Sequence, residues 1–150
     1  MPHSTVILLI EDSEEDFQTV RRLLSKVTDR AIERCADAPS AVSYLHEAAG
    51  DVEAAPRAWP CVILLDLNMP GEDGRSLLRR FKQHEKLRRI PIVILTTSAN
   101  PKDVEYCYQN GAAGYIVKPV DLKRFRESLE MMASYWLRAV ALPPPARMVL

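Results

Sequence analysis

Five polar residues stand immediately after runs of apolar residues: Glu11 and Asp12 after Val6-Ile7-Leu8-Leu9-Ile10, Asp66 after Val62-Ile63-Leu64-Leu65, Thr96 after Pro91-Ile92-Val93-Ile94-Leu95, and Lys118 after Gly114-Tyr115-Ile116-Val117. Three carboxylates brought together repel, and each raises the proton affinity of the others unless a cation shares the site. Oxygen ligands with no His or Cys beside them favour a hard ion such as Mg2+, which keeps several waters. A lysine next to them offers positive charge to an anion, and a threonine offers it a hydroxyl hydrogen bond. Such a pocket suits a phosphoryl group on a carboxylate, because metal and ammonium offset its charge and positioning does most of the catalysis. Asp66 is the natural centre of this chemistry, since the turn-forming residues Asn68, Pro70, Gly71, Asp73 and Gly74 follow it directly.

These residues converge only if the runs before them are parallel strands. Continuous apolar runs of this length read as strands buried on both faces, and between them the periodicity is helical. Ser13 with Asp16 three residues later marks a helix start, and Phe17, Val20, Leu24 and Val27 then mark one face. A weak strand near Ala31 to Cys35 is followed by a helix opening at Asp37 to Pro39, with Ala41, Val42 and Leu45 inward. Residues 49–60, with Gly50, Pro56 and Pro60, read as a connecting loop. Leu77, Leu78 and Phe81 mark the helix after Asp66. Asn100-Pro101 and Gly111 bracket another, and Asp121 caps a last one striped by Leu122, Phe125, Leu129, Met132, Trp136 and Val140. The alternation is a strand and a helix repeated five times, which argues an α/β fold: a parallel sheet with helices on both faces and right-handed crossovers. All five chemical residues then lie at one edge of the sheet.

Composition narrows the function. The 150 residues carry 20 Lys plus Arg and 20 Asp plus Glu, so no basic surplus points to nucleic acid. No apolar run approaches the roughly 20 residues that span a bilayer. Residues 1–5 lack the charged and apolar regions of a signal peptide. Cys35, Cys61 and Cys107 are odd in number and far apart, and read as reduced thiols of a cytoplasmic protein. His3, His46 and His84 show no ligand spacing, and Lys86, Arg88 and Arg89 read as a solvated loop.

Glu11-Asp12, the segment from Asp66 to Gly74, Thr96, and Gly114 to Pro119 together resemble the receiver domain of bacterial two-component response regulators, over roughly residues 5–135. The resemblance implies a flavodoxin-like (βα)5 sandwich with strand order 2-1-3-4-5, phosphorylated on Asp66 from a phosphohistidine of a sensor histidine kinase. It also implies Mg2+ held by Asp12, Asp66 and the backbone carbonyl of Asn68, with Glu11 acting through water. Lys118 would contact the phosphoryl group, Thr96 would move toward it, and Tyr115 would change rotamer. The loop before Asp66, the run Arg89 to Ser98, and Tyr135-Trp136-Leu137 with Val140 and Leu142-Pro143 resemble phytochrome-associated response regulators in particular. Those are stand-alone receivers, which implies a phytochrome-type kinase and a homodimer formed by the last helix and a C-terminal arm.

The expected organisation is a receiver over residues 1–140 and an arm over 141–150 carrying Pro143-Pro144-Pro145, which cannot continue a helix. About 30 residues follow Lys118, too few for a DNA-binding module. Output would be a changed protein contact, dimerisation or onward phosphotransfer as a phosphorelay intermediate. The rival reading is an enzyme, an aspartyl-phosphate phosphohydrolase. Such enzymes resemble Asp-x-Asp sequences whose second Asp serves as acid and base. Asn68 stands there and cannot protonate a leaving group, so a non-enzymatic phosphoacceptor is expected.

Overall fold

In the computed structural model, residues 6–50 and 57–145 are described. The strands are β1 (Val6–Ile10), β2 (Ile32–Cys35), β3 (Pro60–Leu65), β4 (Ile92–Thr96) and β5 (Gly114–Val117). The helices are α1 (Glu14–Leu24), α2 (Ala38–Ala48), α3 (Gly74–Gln83), α4 (Pro101–Gln109) and α5 (Leu122–Ser134). The strands form one parallel sheet in the order β2-β1-β3-β4-β5, the flavodoxin-like arrangement expected from the resemblance.

Successive side chains of a strand point to opposite faces, so each all-apolar strand feeds two cores. Leu8, Ile10, Ile63, Leu65, Ile92 and Ile94 pack on one face with Ala41 and Leu45 of α2, Leu77, Leu78 and Phe81 of α3, and Cys107 of α4. Ile7, Leu9, Val62, Leu64, Val93 and Leu95 pack on the other with Phe17, Val20 and Leu24 of α1 and Phe125, Leu129 and Met132 of α5. Each large apolar side chain withdrawn from water here stabilises the fold by about 1.5–3 kcal/mol before conformational entropy is subtracted. Cys35, Cys61 and Cys107 are buried and not disulfide-bonded.

Helix starts are set by side chains that satisfy otherwise unpaired amides. Ser13, Asp37, Asp73, Asn100 and Asp121 each accept a hydrogen bond from an amide of the following first turn. The last helix departs from the expected stripe. Its α-helical part stops at Ser134, and a π-helical turn spans Tyr135–Ala139, which changes the period. Val140 therefore lies past the helix in extended backbone, and Leu122 in the first turn is exposed. Val27 likewise packs on the core from beyond the end of α1. His46 and His84 are half-buried and meet edge to face, with ring centroids 5.4 Å apart. The expectations for residues 1–5, for Pro56 within the loop and for 146–150 of the arm fall outside the described residues.

Candidate functional site

Strand register sets the first relationship. Ile10 pairs with Leu65 and Leu65 with Ile94, so these strands end at one height. The Asp66 amide donates to the Ile10 carbonyl at 3.1 Å, extending the ladder by one residue. Asp66 thus leaves β3 where the chain order reverses, between the connection from β1 out to β2 and the strands on the other side, the crevice where open α/β sheets bind ligands. Glu11, Asp12 and Asp66 each offer one carboxylate oxygen, all within 4.8 Å of one another. Glu11 is 1% exposed and Asp66 7%, while Asp12 faces solvent.

Lys118 enters from the far side. Its amide donates to the Thr96 carbonyl at 2.7 Å, which holds the chain beyond β5 against the end of β4. Its ammonium lies 2.5 Å from Glu11 Oε1, 2.9 Å from Asp16 Oδ2 and 3.6 Å from Asp66 Oδ2. Burial opposes the charge on Lys118, but the Glu11 and Asp16 hydrogen bonds prevail and hold its pKa above the ordinary lysine value. Burial also pushes the Glu11 carboxyl up to about 7; the Lys118 ammonium opposes this and Asp66 adds to it. Lys118 keeps its charge, while at Glu11 burial outweighs the ammonium beside it.

Thr96 is fully buried at the end of β4. Its hydroxyl oxygen accepts from the Asn68 side-chain amide at 3.2 Å and from the Ser98 amide at 3.3 Å. The Asn68 backbone amide turns back to Asp66 Oδ1 at 3.1 Å. Tyr115 is half-buried, and its hydroxyl donates to the Ser98 carbonyl at 2.9 Å. The Ser98 hydroxyl donates in turn to Asp103 at 2.6 Å, and Asp103 pairs with Arg75 at 2.7 Å. The Ser98 hydrogen bond, then Arg75, hold Asp103 below the usual carboxylate range. This chain of contacts ties Tyr115 to the loop after Thr96, to α4 and to α3.

Three supporting residues escaped the sequence reading. Asp16 reads as part of a helix start, and its amide does donate to Ser13 Oγ, but its carboxylate is turned to Lys118. Gly74 reads as a turn glycine, yet a Cβ there would stand 2.3 Å from the Asp66 carbonyl oxygen and 2.7 Å from Leu67 Cα. Only a residue without a side chain lets α3 begin against the backbone of Asp66. Arg34, on β2, donates to the carbonyls of Glu11 and Asp12 at 3.1 and 3.0 Å and stacks over Phe17. It also pairs with the Glu14 carboxylate, and no sequence signal marks it, because the two contacts that bear on the site are to backbone atoms.

The donor set suits a hard divalent ion: carboxylate oxygens, one of them open to solvent, and no soft ligand among the three. One monovalent ammonium against four carboxylates, counting Asp16, leaves negative charge for a cation to offset. The Lys118 ammonium, 3.6 Å from Asp66 Oδ2, is placed to meet an anion held at that carboxylate.

A family model for the response regulator receiver domain matches residues 7–130. The chain is 40% identical over 139 residues to the response regulator Rcp1 of Synechocystis sp., covering 92% of each protein. Among solved structures, the Mn2+-bound form of Rcp1 superposes with a TM-score of 0.83, covering 93% of this chain and 99% of that one. The phosphorylated cyanobacterial phytochrome response regulator RcpA, 32% identical, superposes with a TM-score of 0.85 over the same shares.

Proposed function

The chain belongs to the response regulator receiver family, and from that premise we propose that it is a two-component signalling switch whose message is a phosphoryl group on Asp66. The observation that carries this reading is the placement of Asp66: a buried carboxylate at the sheet's switch point, within reach of two further carboxylates and 3.6 Å from a buried ammonium. The donor is a phosphohistidine on a sensor histidine kinase. An Asp66 oxygen attacks phosphorus, the P–N bond breaks as the P–O bond forms, and the imidazole leaves with the electron pair and is reprotonated from solvent. Lys118 shifts from Glu11 and Asp16 toward a phosphoryl oxygen. Thr96 exchanges its Asn68 partner for another phosphoryl oxygen.

Asp12, Asp66 and the Asn68 carbonyl, with Glu11 through water, would hold Mg2+, which when bound neutralises the charge gathered on the phosphoryl oxygens. Movement of Thr96 disturbs the loop carrying Ser98, and Tyr115 loses the carbonyl that fixes its rotamer. The conformational equilibrium of the α4 and β5 surface then depends on phosphorylation. Asn68 places an amide, bonded to Thr96, where a phosphohydrolase needs an acid, so the protein acts as a phosphoacceptor and not as an enzyme on a separate substrate.

A phytochrome-type photoreceptor kinase is the partner best supported, by the likeness to a regulator described as a phytochrome response regulator. The dimer surface is α5 with the arm over 141–150 that follows it, and a groove of about 320 Å3 lined by Ile116, Met131, Tyr135 and Trp136 supports the α5 part of it. Met131 and Tyr135 are 68% and 54% exposed there. A cytoplasmic location fits three buried cysteines that are not disulfide-bonded; among the described residues no helix is long and apolar enough to cross a membrane. The test is intact-mass measurement after incubation with a small phosphodonor and Mg2+. One phosphoryl-sized gain that disappears in Asp66→Asn is expected, and an equal gain in that variant would refute the reading.

A further inference from the structure

The opposite edge of the sheet carries a second charged feature. The C-terminal part of α3, the 3-10 turn Leu87–Arg89 and the turn between α4 and β5 all lie where β4 and β5 begin, and parallel strands place that edge away from Asp66. They enclose an open cleft of about 670 Å3, within the size range of small-ligand sites. Arg79, Lys82, Arg88 and Arg89 line it with the amides of Gln109 and Asn110, and no aspartate or glutamate is among its lining residues. At the rim, Gln109 donates to Glu105. In a chain whose charges cancel, four cations in one cleft are a local concentration and not an overflow of general basicity.

How these cations are used separates a binding role from a structural one. Two other arginines of the same helix are engaged: Arg75 with Asp73 and Asp103, and Arg80 with Glu72. Lys82 also has structural work, donating to the carbonyls of Arg88 and Ile90 at 3.0 and 2.6 Å. The guanidinium groups of Arg79, Arg88 and Arg89, unlike the backbones of Arg88 and Arg89, make no hydrogen bond or ion pair with the described residues. If they served to cap chain ends, they would donate to carbonyls as Lys82 does. Instead three exposed guanidinium forks face one cleft beside Lys82, with no carboxylate paired to them among the described residues. Guanidinium forks bind phosphoryl oxygens in pairs, and several close together favour a ligand with more than one anionic group.

We propose that this cleft binds a small polyanion carrying two or more phosphoryl groups, either free polyphosphate or a nucleotide. Its position on α3 and α4, whose opposite ends flank Asp66 and Thr96, would let occupancy bias the phosphorylated state. The binding itself does not rest on the phosphoacceptor reading.

The test is isothermal titration calorimetry of the full chain, in EDTA, with sodium tripolyphosphate and with ATP. Saturable one-to-one binding is expected, retained in Asp66→Asn and weakened about ten-fold or more in a variant with Arg79→Gln, Arg88→Gln and Arg89→Gln. An unchanged melting temperature in that variant excludes a structural cause. If it does not fold, the pair Arg88→Gln and Arg89→Gln is measured in its place. Tighter ATP than tripolyphosphate identifies a nucleotide, with the amides reading base or ribose; equal affinities identify polyphosphate. No saturable binding, or binding that survives loss of the arginines, overturns the proposal. So does tighter binding of a polyglutamate peptide, which would make the cleft a docking surface for acidic protein.

Discussion

The ammonium of Lys118 stands 3.6 Å from the nearer oxygen of Asp66, farther than it stands from either Glu11 or Asp16. The same charge that would stabilise a phosphoryl group on Asp66 is therefore already engaged with two carboxylates before phosphorylation. Lys118→Ala should separate two properties. Phosphorylation of Asp66 should slow by about 10²-fold, the effect of deleting one transition-state charge stabiliser. Mg2+ affinity should rise, because a competing cation has gone. Parallel measurement of labelling rate and of Mg2+ binding checks this, and a fall in both would show that Lys118 organises the carboxylates instead of competing for them.

Glu11 supplies a pH dependence with a definite sign. Its carboxyl is raised from 4.5 to about 7, first by burial. An acid raised in the folded state contributes stability that is complete below its unfolded value and lost as pH rises through the folded one. The metal-free protein should thus lose stability from about pH 4.5 to about pH 7 through this group. A cation bound at the site displaces the proton, so Mg2+ affinity should climb with pH up to about 7 and level off above it. Glu11→Gln should flatten that climb. Affinity already independent of pH in the wild type would contradict it.

At Gly74 the site depends on a backbone contact. Gly74→Ala drives a Cβ into the Asp66 carbonyl at 2.3 Å, so either α3 or the Asp66 backbone must move. A loss of about 1–3 kcal/mol in denaturant stability and slower labelling are expected together. Gly114→Ala is the control, since its Cβ would meet Val93 at an ordinary 3.7 Å. Similar losses in both variants would show that close approach at Gly74 has no special role.

The proposed arm is tested by removing residues 141–150. Leu142 packs against the core face that holds Trp136 and Leu137, so its loss should uncover apolar surface at the end of α5. Sedimentation should show a dimer in the full chain and a shift toward monomer in the truncated one. An unchanged assembly state would remove the arm from the interface.

The strands around Asp66 are legible because β1, β3 and β4 are buried on both faces, leaving unbroken apolar runs that end on the chemical residues. The edge strand β2 is weak as a signal because Glu33 and Arg34 interrupt it, and Arg34 is there to hold the Glu11 and Asp12 carbonyls. The stripe of the last helix holds at Phe125, Leu129, Met132 and Trp136 and fails at Val140, because the π-helical turn at Tyr135 shifts the period, which spacing alone does not reveal. Asp16 and Gly74 are hidden for another reason. Each satisfies a local rule, a helix start and a turn, and its contact with Lys118 or the Asp66 backbone exists only after folding.

The role of Asp66 is tested most directly by locating the modified residue. The protein is incubated with a purified sensor histidine kinase, ATP and Mg2+. The acyl phosphate is trapped by borohydride reduction, and the resulting peptide is sequenced. Reduction at Asp66, absent when Mg2+ is chelated, is the expected result. Reduction at another carboxylate, or trapping at Asp66 that persists without the metal, would contradict Asp66 as the Mg2+-dependent phosphoacceptor.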